Sequence, residues 1–236
     1  MRRATLALQR ASVTSLLRVC TLREVASRRW SPLSLGLHSC RPISVSSARF
    51  NATKTIVLRP YQEDCIKAVL RDIGQSKRRL GVSLATGSGK TVIFSHLIDR
   101  IEPPTDDATQ TLILAHRQEL IQQAASHCRS LYPNKTVDVD MALQTASGTA
   151  DITVASVMSL ASKGRLSKYD PHRFKLILMD EAHHAAASSY RNILDHFGML
   201  NDHEKMATTV VGFSATLSRP DGVSLAVAID HISYHK

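Results

Sequence analysis

The sequence predicts an α/β domain over residues 51–236, a doubly wound and mostly parallel sheet sandwiched by helices. Three observations predict it. From Thr55 onward short apolar runs alternate with helical patterns, the order of a βαβ succession. Runs such as Leu176-Ile177-Leu178-Met179 and Val210-Val211-Gly212-Phe213 are continuously apolar, as strands covered on both faces are. A glycine-containing segment, residues 85–91, separates one such run from a helical pattern.

The elements follow in order. Pro60 suits a first helical turn, Cys65, Ile66, Val69, Leu70 and Ile73 form an apolar stripe, and Gly74 ends it, so 60–73 is a helix. Residues 80–85 read as a strand, 89–101 as a helix and 103–107 as a turn. A strand at 111–115 precedes a helix at 117–131. Two further strands, 137–142 and 151–156, lead into a helical piece at 157–163. A strand at 175–179, a helix at 187–200 and a strand at 208–213 complete the pattern. There is no internal repeat.

Composition excludes several classes. The 236 residues are 43% apolar, too apolar for a wholly disordered chain. Ten Gly and eight Pro rule out collagen-like and low-complexity architectures. No run approaches the roughly 18 consecutive apolar residues of a membrane-spanning helix. The four cysteines, Cys20, Cys40, Cys65 and Cys128, show neither CxxC pairing nor a disulfide framework, and a reduced compartment is expected.

The formal charge of +10 is unevenly placed. Residues 1–50 hold nine arginines, nine serines, no lysine and the single acid Glu24, a balance of +8 that leaves +2 for the rest. The basic character therefore belongs to the tail, not to the predicted domain. Arg-rich, Ser-rich and acid-poor composition is that of an organelle transit peptide, and Leu6, Leu8, Val13, Leu16 and Leu17 fall at roughly helical spacing with arginine on the other side. Import into the mitochondrial matrix is expected, with processing after Trp30 or near Phe50. A basic tail that binds nucleic acid or an anionic membrane is the alternative.

The chemistry starts at Ala85-Thr86-Gly87-Ser88-Gly89-Lys90-Thr91. Gly87 and Gly89 let the backbone curl so that successive N–H groups face a phosphate. The helix that follows presents its positive end to the same anion. Lys90 would neutralise β- and γ-phosphate oxygens, and the Thr91 hydroxyl would ligate Mg²⁺. The strict pattern places glycine where this chain has Leu84. ATP and Mg²⁺ are the expected cofactors. Asp180-Glu181-Ala182-His183 directly follows the strand at 175–179, where ligands of a doubly wound sheet collect. Asp180 would hold the metal, and Glu181 would orient and deprotonate the attacking water. A helix start capped by Asp180 is the bland alternative. His183 and His184 lack the HExxH spacing, and Mg²⁺ prefers oxygen, so a histidine-bound metal is not expected.

Six motifs stand in one order: Leu58-Arg59-Pro60-Tyr61-Gln62, the 85–91 loop, Ala115-His116-Arg117-Gln118-Glu119-Leu120, 153–160, Asp180-Glu181-Ala182-His183 and Phe213-Ser214-Ala215-Thr216. In this the chain resembles the superfamily 2 DEAD/DEAH-type helicases, whose motor is a pair of RecA-like domains. The wording is most similar to fungal mitochondrial ATP-dependent DNA helicases related to restriction and repair translocases. The resemblance implies that Gln62 reads the adenine edge and that Lys90, Asp180 and Glu181 are catalytic. His183, Ser214 and Thr216 would couple hydrolysis to strand movement, and Arg117, Ser156 and Ser159 would touch nucleic acid. Double-stranded or branched DNA is the expected partner before RNA, and the chain is expected to act as a monomer. A solvated helix-surface role for Arg117, a packing role for His116 and capping roles for Ser214 and Thr216 remain the structural alternatives.

The resemblance also implies a second RecA-like domain that supplies an arginine finger, worth roughly 10³–10⁵ in turnover. The sequence to Lys236 is expected to lack it, so that this chain binds ATP but hydrolyses it slowly. A non-catalytic ATP-binding module and half of an organellar RNA helicase are the competing readings.

Overall fold

The computed structural model describes residues 57–162, 164–200, 207–216 and 228–236. The chain divides into two units, 1–49 and 50–236. The expected presequence at 1–50, with Cys20 and Cys40, lies outside the described residues, as does Lys163.

Seven strands form one all-parallel sheet, ordered β3-β4-β2-β5-β6-β1-β7. They are β1 (Arg79–Ser83), β2 (Gln110–Ala115), β3 (Val137–Asp140), β4 (Ile152–Ser156), β5 (Phe174–Asp180), β6 (Thr209–Ser214) and β7 (His231–His235). The helices are α1 (Pro60–Gly74), α2 (Lys90–Arg100), α3 (Gln118–Leu131), α4 (Val157–Leu160) and α5 (Ser188–His196). This is the RecA-like α/β architecture expected from the sequence.

Period-2 alternation divides the core. Ile113, Leu176, Leu178, Val211 and Phe213 face a cluster with Ile66, Val69, Phe94, Ile98 and Ile121 from α1, α2 and α3. Leu112, Leu114, Ile177, Met179 and Val210 face a second cluster with Tyr190, Ile193 and Leu194 from α5. Continuously apolar strands were the signature of this two-sided burial.

Several boundaries shift for local reasons. β3 stops at Asp140 because Met141 and Gln144 exchange two backbone hydrogen bonds of 2.9 Å around a turn with Ala142 at φ +51°. α5 ends before residue 200 in a Schellman pair, Met199 N–H to Leu194 C=O at 2.8 Å and Gly198 N–H to Asp195 C=O at 2.9 Å. α4 is one turn, Val157–Leu160. β7 lies outside the sequence expectation. It is a half-buried edge strand tied to α1, with His231 Nε2 3.1 Å from Asp72 Oδ2.

Candidate functional site

Every strand of the sheet points the same way, so the segments after β1, β2, β5 and β6 emerge at one edge. β1 hands over at Ser83 to Leu84, whose N–H donates to the Ser214 carbonyl at 3.0 Å. Leu84 is 1% exposed. The position where the strict pattern wants glycine is thus the last residue of the core, and the loop proper begins at Ala85.

Within the loop Gly87 and Gly89 sit at φ +79° and +77°, conformations that L side chains rarely adopt. α2 then starts at Lys90 with its first N–H groups free of intrahelical partners. Gln62 holds the loop from behind. As the third residue of α1 its Oε1 accepts from the Arg59 N–H at 2.9 Å. Its Nε2 donates to the Ser88 carbonyl at 3.1 Å. The Tyr61 hydroxyl donates to that same carbonyl at 2.5 Å.

A cavity of about 740 Å³ opens in front of the loop. Thr86, Gly87, Gly89, Lys90 and Thr91 form one wall, Asp180, Glu181, His183 and His184 another, and His116, Arg117, Glu119 and Leu120 a third. The lysine and the acidic pair therefore meet in one cavity. The Lys90 Nζ and Ser88 Oγ are buried and have no hydrogen-bond partner among the described residues. An unpaired buried ammonium is costly, and the oxygens of a phosphate group would satisfy it. Thr91 and Asp180 offer the oxygen donors that Mg²⁺ prefers, so the donor set fits that ion.

Asp180 ends β5 with its Oδ1 accepting from the Glu181 N–H at 3.0 Å. Its carbonyl accepts from the buried Tyr190 hydroxyl at 3.0 Å, which pins the turn. Burial raises the Asp180 pKa above 3.8, Lys90 counters it, and Glu181 adds to it. Glu181 occupies the left-handed region at φ +52°, a conformation maintained only where surrounding contacts fix it. A 3₁₀ turn, Ala182–His184, follows. His183 Nδ1 lies 3.2 Å from Glu181 Oε2 and 2.9 Å from Ser214 Oγ. The Thr216 N–H donates to Ser214 Oγ at 3.2 Å.

The structure thus brings together Lys90, Thr91, Asp180, Glu181, His183, Ser214 and Thr216, with Gln62 behind the loop. It places Arg117 in the cavity wall. It does not bring Ser156 and Ser159 there. Ser156 is buried at the end of β4, and the Ser159 hydroxyl oxygen accepts from the Ala142 N–H at 2.9 Å. Sequence reasoning gave no role to Tyr61, Tyr190 or His184, whose contributions depend on contacts across the sheet edge. Burial lowers the His116 pKa, with His184 and His183 repelling its charged form. Cys65 and Cys128 are free and buried, their thiols raised by desolvation to about 12 and about 11, so neither is a nucleophile.

Residues 55–219 match the family model described as type III restriction enzyme, res subunit. The protein named "Putative mitochondrial ATP-dependent helicase irc3" from Schizosaccharomyces pombe is 51% identical over 179 residues, covering 76% of this chain and 29% of its own length. The protein named "Putative ATP-dependent helicase IRC3" from Saccharomyces cerevisiae is 44% identical over 185 residues, covering 76% of this chain and 26% of its own length. The chain therefore spans under a third of the length of these relatives. Among solved structures, the Pyrococcus furiosus Hef helicase domain superposes with a TM-score of 0.57 at 23% identity, covering 75% of this chain and 38% of that one. Saccharomyces cerevisiae Dbp5 gives 0.58 at 18%, covering 77% and 49%. These two share the fold. With the motifs in order along the edge of a RecA-like sheet, the chain belongs to the family of the type III restriction enzyme res subunit.

Proposed function

We propose that residues 51–236 form the Mg·ATP-binding half of a mitochondrial ATP-dependent DNA helicase or translocase, preceded at 1–50 by a matrix-targeting presequence. The observation that carries this reading is the partnerless Lys90 ammonium in the cavity walled by Asp180 and Glu181. Mg²⁺ would supply charge neutralisation to the phosphate oxygens when bound. Thr91 and Asp180 hold it, Lys90 binds the phosphate oxygens, and Glu181 orients and deprotonates the attacking water. Gln62 retains one N–H and one lone pair beyond its loop contacts, enough for the adenine edge.

The mitochondrial assignment rests on the S. pombe relative's name and on the Arg-rich leader, and the DNA assignment on the resemblance to restriction and repair translocases and on the restriction-enzyme family match. Residues 51–236 are proposed to bind Mg·ATP, and the resemblance assigns the arginine finger to a second RecA-like domain. Calorimetric titration with Mg·ATP tests the reading. Heat is expected for the wild-type chain and none for Lys90→Ala; equal affinities reject it.

A further inference from the structure

β5 lies between β2 and β6 in the sheet, and its C-terminal turn carries two adjacent imidazoles that engage both neighbours. His183 reaches the β6 side through Ser214 Oγ. His184 reaches the β2 side: its ring stands edge-on to His116, the residue after β2, with centroids 5.0 Å apart and planes at 78°. The two histidine rings of the turn are in contact, centroids 4.1 Å apart. His116 also packs edge-on against Tyr190, 5.2 Å away, and Tyr190 holds the Asp180 carbonyl. A closed ring of contacts therefore runs from Glu181 through His183, His184 and His116 to Tyr190 and back to Asp180.

We propose that His184 and His116 are positioning residues that transmit the state of the nucleotide site to the start of α3, where Arg117 is expected to touch nucleic acid. The proposal rests on the nucleotide-binding reading above and on the nucleic-acid contact expected of Arg117, and it extends that reading to the wall of the same cavity formed by His116 and Arg117. Arg117 is the residue that follows His116, and it is the N-cap of α3. A shift of the 181–184 turn on binding Mg·ATP displaces the His184 ring, and the edge-on contact passes that shift to the backbone at 116–117. The contact is one of ring packing. The His116 Nε2 has no hydrogen-bond partner among the described residues, so ring contacts are what orient that side chain.

The test measures coupling, not activity. The Kd of a fluorescently labelled single-stranded oligodeoxythymidylate is determined with and without a non-hydrolysable ATP analogue and Mg²⁺. The ratio of the two cancels any change in intrinsic affinity. Coupling between sites is typically about 5–150-fold, and the wild-type chain is expected to fall in that range. His184→Ala should bring the ratio to within twofold of unity, and His184→Phe, which keeps a ring, should retain most of it. His184 is exposed, so its truncation leaves no buried cavity. In a double-mutant cycle His116→Ala should add no further loss to His184→Ala. An unchanged ratio in His184→Ala, loss in the Phe variant as complete as in the Ala variant, or a wild-type ratio of one overturns the proposal. Loss of analogue binding by the wild-type chain would instead reject the nucleotide-binding reading itself.

Discussion

Gln62 ties the start of α1 to the phosphate loop: its Nε2 donates to the Ser88 carbonyl at 3.1 Å, and the same nitrogen lies 2.7 Å from where a Cβ on residue 89 would stand. The loop and the helix behind it are fitted to a backbone without a side chain at Gly89. Gly89→Ala therefore incurs two penalties, a left-handed φ of +77° and a clash with the Gln62 amide. The conformational strain alone is about 1–3 kcal/mol. Mg·ATP affinity is expected to fall at least about tenfold, equivalent to 1.4 kcal/mol. Gly87→Ala meets the same φ penalty at +79° with nothing within 4 Å, and should lose less. Titration calorimetry of both variants checks the order; a larger loss at Gly87 contradicts it.

The link between β5 and β6 is equally specific. The buried Ser214 Oγ stands 2.9 Å from His183 Nδ1 while accepting from the Thr216 N–H. Ser214→Ala removes one of the two groups at His183 Nδ1, which keeps Glu181 Oε2 at 3.2 Å, and the acceptor of the exposed Thr216 N–H, at a cost of about 0.5–1.5 kcal/mol. If the pair acts as a unit, Ser214→Ala and His183→Ala are non-additive by about 0.5–3 kcal/mol in a denaturation cycle. Additivity within about 0.5 kcal/mol would mean that the contact carries no energy.

Asp180 is where stability and function oppose each other. Burial raises its carboxyl above 3.8 despite Lys90. The folded state binds the extra proton, so this group's contribution to stability is largest at low pH and is lost as pH rises through the raised value. Removing the charge with Asp180→Asn is expected to raise the unfolding midpoint of the ligand-free chain at pH 7 while weakening Mg·ATP binding. His116 works in the other direction. Its folded pKa lies below 6.5, so the folded state binds fewer protons, and stability falls as pH descends from 6.5 through that lowered value. Mg·ATP affinity in the wild type should decline on acidification as Asp180 takes up its proton. A lower midpoint for Asp180→Asn at pH 7, or affinity flat with pH down to 4, contradicts this account.

The central sheet and the nucleotide site were legible because one physical requirement writes each of them. Strands covered on both faces must be continuously apolar, and Leu176–Met179 and Val210–Phe213 are; a phosphate loop must have Gly87 and Gly89 where φ is positive. β7 was not legible because its burial is partial. In His231-Ile232-Ser233-Tyr234-His235 only Ile232 and Tyr234 are apolar, and Ile232 is 48% exposed. Its place depends on Asp72 and on pairing with β1, contacts made across more than 150 positions. His184 was hidden for a related reason. Nothing in a dipeptide of histidines says that one turns toward β6 and the other toward β2; strand order decides that.

Asp140 governs the segment from the end of β3 to residue 169. Its carboxylate is fully buried and accepts from Arg165 Nη1 at 2.6 Å, the Tyr169 hydroxyl at 2.9 Å, the Ala146 N–H at 3.3 Å and Lys168 Nζ. Burial alone would raise its pKa, but the hydrogen bonds from Lys168, Tyr169 and Arg165 outweigh it and hold the carboxyl below 3.8. Arg165 also donates to the Ala142 carbonyl, and the Ala142 N–H donates to Ser159, so the turn after β3 is fixed from both sides. The Arg165 and Lys168 side chains are 23% and 22% exposed and can turn to water when the carboxylate is removed. Asp140→Ala is therefore expected to cost about 1–3 kcal/mol, the penalty of stranding buried partners, rather than the larger figure for a fully buried pair. Asp140→Asn keeps an acceptor for Tyr169 and should cost less. Urea unfolding should show a lower midpoint with an unchanged slope. A midpoint equal to wild type would mean that water, and not Asp140, satisfies the two cations.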